Sequence, residues 1–117
     1  TMVQAAKKEN FYHGILLGLL SHREDWVVTS NVESGDGYSD ILVELEEEGV
    51  GIVIEVKYAE NGNFEKGCRE AMEQIEKMGY EDSLLDNGME QILKYGIACY
   101  KKKCKVQLAG SPVGHIC

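Results

Sequence analysis

The sequence predicts an α/β fold, a mixed central sheet flanked by helices, in the order helix, three strands, helix, two strands. Three observations carry this expectation. The stretch 8–21 repeats apolar residues at three- and four-residue steps, the period of a helix with one buried side. Two short β-rich runs, 41–43 and 51–54, are joined by Glu46-Glu47-Glu48-Gly49, a polar link closed by a glycine that tolerates positive φ. A second helical period covers about 64–78. At 117 residues, one domain spanning 1–117 is the natural size.

Taken in order, the first helix has Phe11, Tyr12, Ile15, Leu16, Leu19 and Leu20 as its apolar stripe. Gly14 and Gly18, four apart, suggest a close approach of this helix to the sheet. His13 reads as a polar residue at the stripe's edge, with a phosphate contact as the alternative. Residues 26–32 read as the first strand, being rich in β-branched side chains with one aromatic. Residues 33–37 form a turn with two glycines that delivers the chain into Tyr38-Ser39-Asp40. Asp36 there reads as a turn residue bonding its own backbone, the alternative being a further acid near a metal. Ser39 is placed where it could meet a phosphate.

The hairpin that follows allows two registers. A two-residue loop at Glu47-Glu48 sets Asp40 opposite Glu55, and a four-residue loop, 47–50, sets it opposite Lys57. Glu55 and Lys57 are two apart and share a strand face, so either register gathers Asp40, Glu55 and Lys57. Asn63 is a suitable N-cap for the second helix. That helix buries Phe64, Cys68, Ala71, Met72, Ile75 and Met78 and turns a mixed-charge face to solvent. Short helical pieces are expected around 82–85 and 89–93, broken at Asn87-Gly88. A buried strand is expected at 97–100, a lysine turn at 101–103 and a last strand at 104–108. Lys101, Lys102, Lys103 and Lys105 read first as protection of a sheet edge, with a phosphate-backbone contact as the alternative.

Composition sets limits. The net charge of −8 argues against a general nucleic-acid binder, although carboxylates that hold cations count in that total. The longest apolar run, 15–20, is far too short to span a bilayer, and the N-terminus lacks a signal-peptide pattern, so a cytoplasmic protein is expected. Four cysteines without a C-x-x-C pair argue against zinc, and reduced thiols are expected, Cys99 and Cys104 facing each other across the lysine turn.

Two carboxylates and an ammonium at the end of an apolar hairpin are costly unless something uses them. Carboxylate oxygens suit Mg²⁺ or Mn²⁺. A lysine beside them can orient a water, help remove its proton or hold a phosphate oxygen. Together these groups are suited to hydrolysing a phosphodiester. The plainer reading is a surface salt bridge on a strand pair, worth little.

Asp40, fourteen intervening residues, and Glu55-Val56-Lys57 after a β run resemble the PD-(D/E)XK nuclease superfamily. The ordered segments E-N-F-Y-H-G-I-L-L-G-L-L, G-D-G-Y-S-D-I-L-V-E, I-V-I-E-V-K, E-Q-I and K-Y-G-I-A-C-Y sharpen this. Together they resemble the PD-(D/E)XK domain that lies C-terminal to an AAA-ATPase-like domain. The resemblance implies a restriction-endonuclease-like αβββαβ core and a nuclease acting on DNA. It implies Mg²⁺ or Mn²⁺ held by Asp40 and Glu55 with the Val56 carbonyl, and Lys57 as a catalytic group. An acid on the first helix often completes such a metal site, and Glu9 matches; the alternative for Glu9 is a favourable charge near a helix N-terminus. RecB-like members carry a glutamine on the second helix, which Gln74 matches; the tyrosine those members place four residues later is Met78 here. Without that role, Gln74 reads as a helix-edge amide bonded to a loop. A homodimer and an ATPase-like domain or partner are further implications. A non-catalytic docking or dimerisation module is the rival reading, and RNA or branched DNA a rival substrate.

Overall fold

The computed structural model describes the backbone of residues 2–32 and 39–110, and the side chains of 7–30 and 40–108. The elements are α1 (Met2–Leu20), β1 (Val27–Val32), β2 (Ser39–Leu45), β3 (Val50–Tyr58), α2 (Phe64–Met78), α3 (Tyr80–Asp86), β4 (Gln91–Tyr100) and β5 (Lys103–Gly110), with a 3-10 turn at Glu60–Gly62. The strands form one sheet in sequence order, β1-β2-β3-β4-β5. Among the described residues only β3 and β4 run parallel; the other neighbours are antiparallel. A parallel pair needs a long crossover, and α2 with α3 supplies it. This is the mixed sheet and flanking helices expected from the sequence. The expected turn at 33–37 with Asp36, and the side chain of Ser39, lie outside the described residues.

The two sheet faces have different coverings. On one, Ile41, Val43, Ile54, Val56 and Cys99 are buried under Tyr12, Leu16, Leu17 and Leu20 of α1. On the other, Val53 and Ile92 form a core with Ile75 of α2, Leu84 of α3 and Met89. Alternation along the strands assigns these faces, and Asp40, Glu55 and Lys57 fall on the α2 side. A seven-residue helix such as α3 has little stability of its own. It is held by Leu84, wholly buried, and by the Asn87 amide donating to Glu44 at 2.8 Å.

Several expectations are corrected. The first helix begins at Met2 rather than near residue 8, and its buried stripe is Glu9, Tyr12, His13, Leu16, Leu17 and Leu20. Phe11, Ile15 and Leu19 face outward, Phe11 and Leu19 each 65 % exposed. An apolar surround on both sides made the inward side hard to choose. Gly14 and Gly18 lie on the outward side, where a Cβ would meet nothing within 4 Å, so they do not bring the helix to the sheet. His13 lies inside the stripe, its Nε2 2.7 Å from Ser30 Oγ. Trp26 precedes the first strand and carries Arg23 over its ring at 4.8 Å. The segment expected to be helical at 89–93 instead enters β4, which starts at Gln91. Pairing with β3 decides this: Gln91 lies beside Val50, and the Glu90 N–H donates to the Gly49 carbonyl at 2.7 Å.

The close approach occurs instead at α2. A Cβ on Gly67 would lie 2.8 Å from the Ala98 Cβ, and one on Gly96 would lie 3.0 Å from the Ala71 Cβ and the Met72 sulfur. Missing side chains on both elements let the α2 backbone lie directly on β4. The helix bounds are those expected, and Asn63 caps it, its side-chain oxygen accepting from the Lys66 N–H at 3.2 Å. Among the described residues, no helix is long and apolar enough to cross a membrane.

Candidate active site

Hairpin register creates the site. Leu45 pairs with Val50, leaving the turn Glu46–Glu47–Glu48–Gly49 outside the ladder, with Gly49 at φ +70°. Asp40 then falls directly opposite Glu55, the pairing expected of a two-residue loop at Glu47-Glu48, although the turn observed has four residues, 46–49. Both side chains are buried, Asp40 at 2 % exposure and Glu55 at 0 %. Leu42 and Val53 pair one step further along the same face and floor the site with apolar surface. Lys57, two residues beyond Glu55, is half-buried at the strand end.

Directly opposed strand residues have side chains about 5 Å apart. Two ionised carboxylates at that separation repel by roughly 3 kcal/mol at an effective dielectric near 20. A surface ion pair offsets at most about 1 kcal/mol. Both carboxylate oxygens of Glu55 are buried, with no hydrogen-bond partner among the described residues. An acceptor-only group so placed carries the full desolvation cost. These hard oxygen donors fit a divalent cation such as Mg²⁺ or Mn²⁺. No group of three or more His, Cys, Asp or Glu side chains is arranged to hold a metal among the described residues. A cation at this place would therefore rest on two carboxylates, main-chain oxygen and water.

The remaining candidates arrive from both layers. Gln74, on α2, is buried between Ala71 and Ile75. Ala71 meets Gly96, the β4 partner of Glu55, and Ile75 packs with Val53, so Gln74 belongs to the layer over the acid pair. Val56 points its side chain into the opposite core, which leaves only its main-chain groups, the carbonyl among them, for a polar role. Glu9, on α1, is buried and accepts the Tyr58 N–H at 3.3 Å, one residue past Lys57. It does not form a three-acid group with Asp40 and Glu55.

Burial pushes the Glu9 carboxyl above its ordinary value of 4.5, while the Lys57 ammonium and the Tyr58 N–H pull part of the way back. A group raised in the folded state stabilises fully below its ordinary value, and that stability is lost as pH rises through the raised one. Glu9→Gln keeps an acceptor for the Tyr58 N–H. In EDTA it is expected to flatten the fall in melting temperature as pH climbs above 4.5. An unchanged slope would refute this account of Glu9.

Lys8 and Tyr58 were passed over in the sequence. Lys8 Nζ donates to Tyr58 Oη at 3.2 Å and lies 4.7 Å from the centre of that ring. A tyrosine directly after Glu55-Val56-Lys57 was the available signal. Its partner, fifty residues upstream, was not visible without the fold.

Comparisons with curated proteins and with solved structures give no match. The family model of the PD-(D/E)XK nuclease superfamily matches residues 7–108, which takes in Asp40, Glu55, Lys57 and the helices on both sides of the sheet. The chain belongs to the PD-(D/E)XK nuclease superfamily.

Proposed function

We propose that this protein is a metal-dependent nuclease that hydrolyses phosphodiester bonds of DNA. One observation carries the reading: Glu55, wholly buried with both carboxylate oxygens lacking a hydrogen-bond partner among the described residues, lies directly opposite buried Asp40. Asp40 and Glu55 would hold Mg²⁺ or Mn²⁺, with the Val56 carbonyl as a further ligand and Glu9 contributing through water. When bound, the cation supplies a nucleophile at neutral pH and offsets charge developing on the phosphate. Lys57 orients the attacking water and places its ammonium against the phosphate oxygens. Gln74 positions Lys57 or the substrate from above. Leu42 and Val53 keep bulk water from the floor, which strengthens each of these charge interactions.

The test is cleavage of supercoiled plasmid and of a labelled single strand with Mg²⁺, Mn²⁺ or EDTA. Products that form with either metal and vanish in EDTA are expected. Cleavage that persists in EDTA would exclude the metal-dependent reaction.

A second reading is a docking or dimerisation module, joined to a second copy or to an ATPase-like domain or partner. The outward apolar residues Phe11, Ile15 and Leu19 on α1, with Val106 and Leu108 on β5, favour it. Failure to take up Mn²⁺ in calorimetry, together with no cleavage, would decide for this module.

A further inference from the structure

The carboxyl ends of β3 and β4 carry a second constellation, built from side chains far apart in sequence. The Tyr58 and Tyr100 rings meet with centroids 5.7 Å apart and planes tilted by 41°. Each ring has an ammonium near its face: Lys8 at 4.7 Å from the Tyr58 centroid and Lys101 at 5.3 Å from that of Tyr100. Tyr58 follows Lys57 directly, about 3.3 Å further along β3, with its side chain turned to the α1 face where Lys8 meets it, so the paired rings lie at the sheet end just past the proposed catalytic lysine. Both tyrosines are only partly buried.

The adjoining turn is held in an unusual way. Lys101 has φ +54°, a conformation that glycine and asparagine adopt more readily than lysine. Its carbonyl accepts a hydrogen bond from Tyr12 Oη at 2.7 Å, which ties the turn to α1. A side chain other than glycine at such a backbone position raises the question of what the side chain is for. Lys102 and Lys103 follow it, so this end of a protein of net charge −8 gathers positive charge.

From this geometry we infer that Tyr58 and Tyr100, with Lys8 and Lys101, form a binding platform for unpaired nucleotides of a strand entering the site. Aromatic faces stack on any base, but only where the base is out of a duplex. An ammonium over a ring gains more from a phosphate oxygen, where the contact is charge-assisted, so each lysine can exchange its ring for the backbone as a base takes the ring face. The inference deepens the nuclease reading and rests on it for the identity of the ligand. It makes the substrate a single strand, an end or a flap in preference to continuous duplex.

The experiment measures binding in EDTA, where no turnover occurs, by fluorescence anisotropy with labelled oligothymidine and with a duplex. Tyr100→Leu keeps apolar bulk and is expected to weaken strand binding by about fivefold or more, with duplex binding unchanged. Lys101→Gly suits the backbone of the turn. It is expected to retain or raise the melting temperature while weakening strand binding. It should also reduce the slope of log affinity against log salt by about 0.7, the value for one lost contact on a single strand. A purely structural lysine would not move that slope. Three results would overturn the platform: no strand binding by the wild type, wild-type binding by both variants, or equal losses for strand and duplex. Because no cleavage is measured, strand binding that depends on Tyr100 and Lys101 would stand even if the metal-dependent cleavage test failed.

Discussion

Glu55→Met is expected to abolish cleavage while stabilising the metal-free protein. The two effects share one cause. Glu55 is wholly buried, faces Asp40 across the hairpin, and both its oxygens lack hydrogen-bond partners among the described residues. Methionine is similar in length and carries no charge, so it fills the same space without the desolvation cost or the repulsion. A buried acceptor without a partner costs about 1–3 kcal/mol, which its removal spares. A gain of about 1–3 kcal/mol in EDTA, read from urea unfolding, is the expected result. Activity should fall about a thousandfold or more, since the loss removes charge stabilisation at the reacting phosphate, worth several kcal/mol. If the variant is instead destabilised by about 2 kcal/mol or more, Glu55 is a structural residue held by contacts, and its assignment to the site fails.

Lys57→Ala is expected to separate chemistry from binding. Its side chain is half-buried at the end of β3, so truncation removes little core. Loss of a group that orients or deprotonates the nucleophile costs about a hundredfold to ten-thousandfold in rate. The acid pair is untouched, so Mn²⁺ binding by calorimetry should stay within about twofold of wild type. Lys57→Arg should not rescue activity, because a planar fork does not reproduce a compact ammonium at one point. A fall in rate of less than about tenfold for the alanine variant would remove Lys57 from the chemical step.

Local patterns in the sequence were legible because local chemistry decides them. The α2 bounds follow from the Asn63 cap and an apolar stripe, and the gathering of Asp40, Glu55 and Lys57 on one face from a short turn between two β runs, while the choice between the two registers needed the ladder itself. The inward side of α1 was not legible, since apolar residues occur around it and only contact with β2 and β3 chooses between them. Residues 91–93 were misread as helix because their strand state comes from pairing with β3, a contact made across the whole crossover. The same distance hid the Tyr58–Tyr100 and Lys8–Tyr58 meetings, which no sequence period signals. Glu9 was picked out by resemblance, but its bond to the Tyr58 N–H needed the strand end in place.

The contact between Gly67, Ala71, Gly96 and Ala98 limits what these positions can hold. A Cβ at Gly67 falls within 2.8 Å of the Ala98 Cβ, which has no torsion by which to move aside, and at Gly96 three neighbours stand within 3.2 Å. Overpacking of this kind costs about 1–3 kcal/mol per step, a large share of the roughly 5–15 kcal/mol that holds a domain together. Substitution at these positions is therefore expected to be tolerated only for the smallest side chains. A larger residue there would lift α2, and Gln74 with it, off β4, even if the domain stayed folded. Two glycines and two alanines, none of them among the proposed site residues, thus set how closely the α2 layer lies on the sheet.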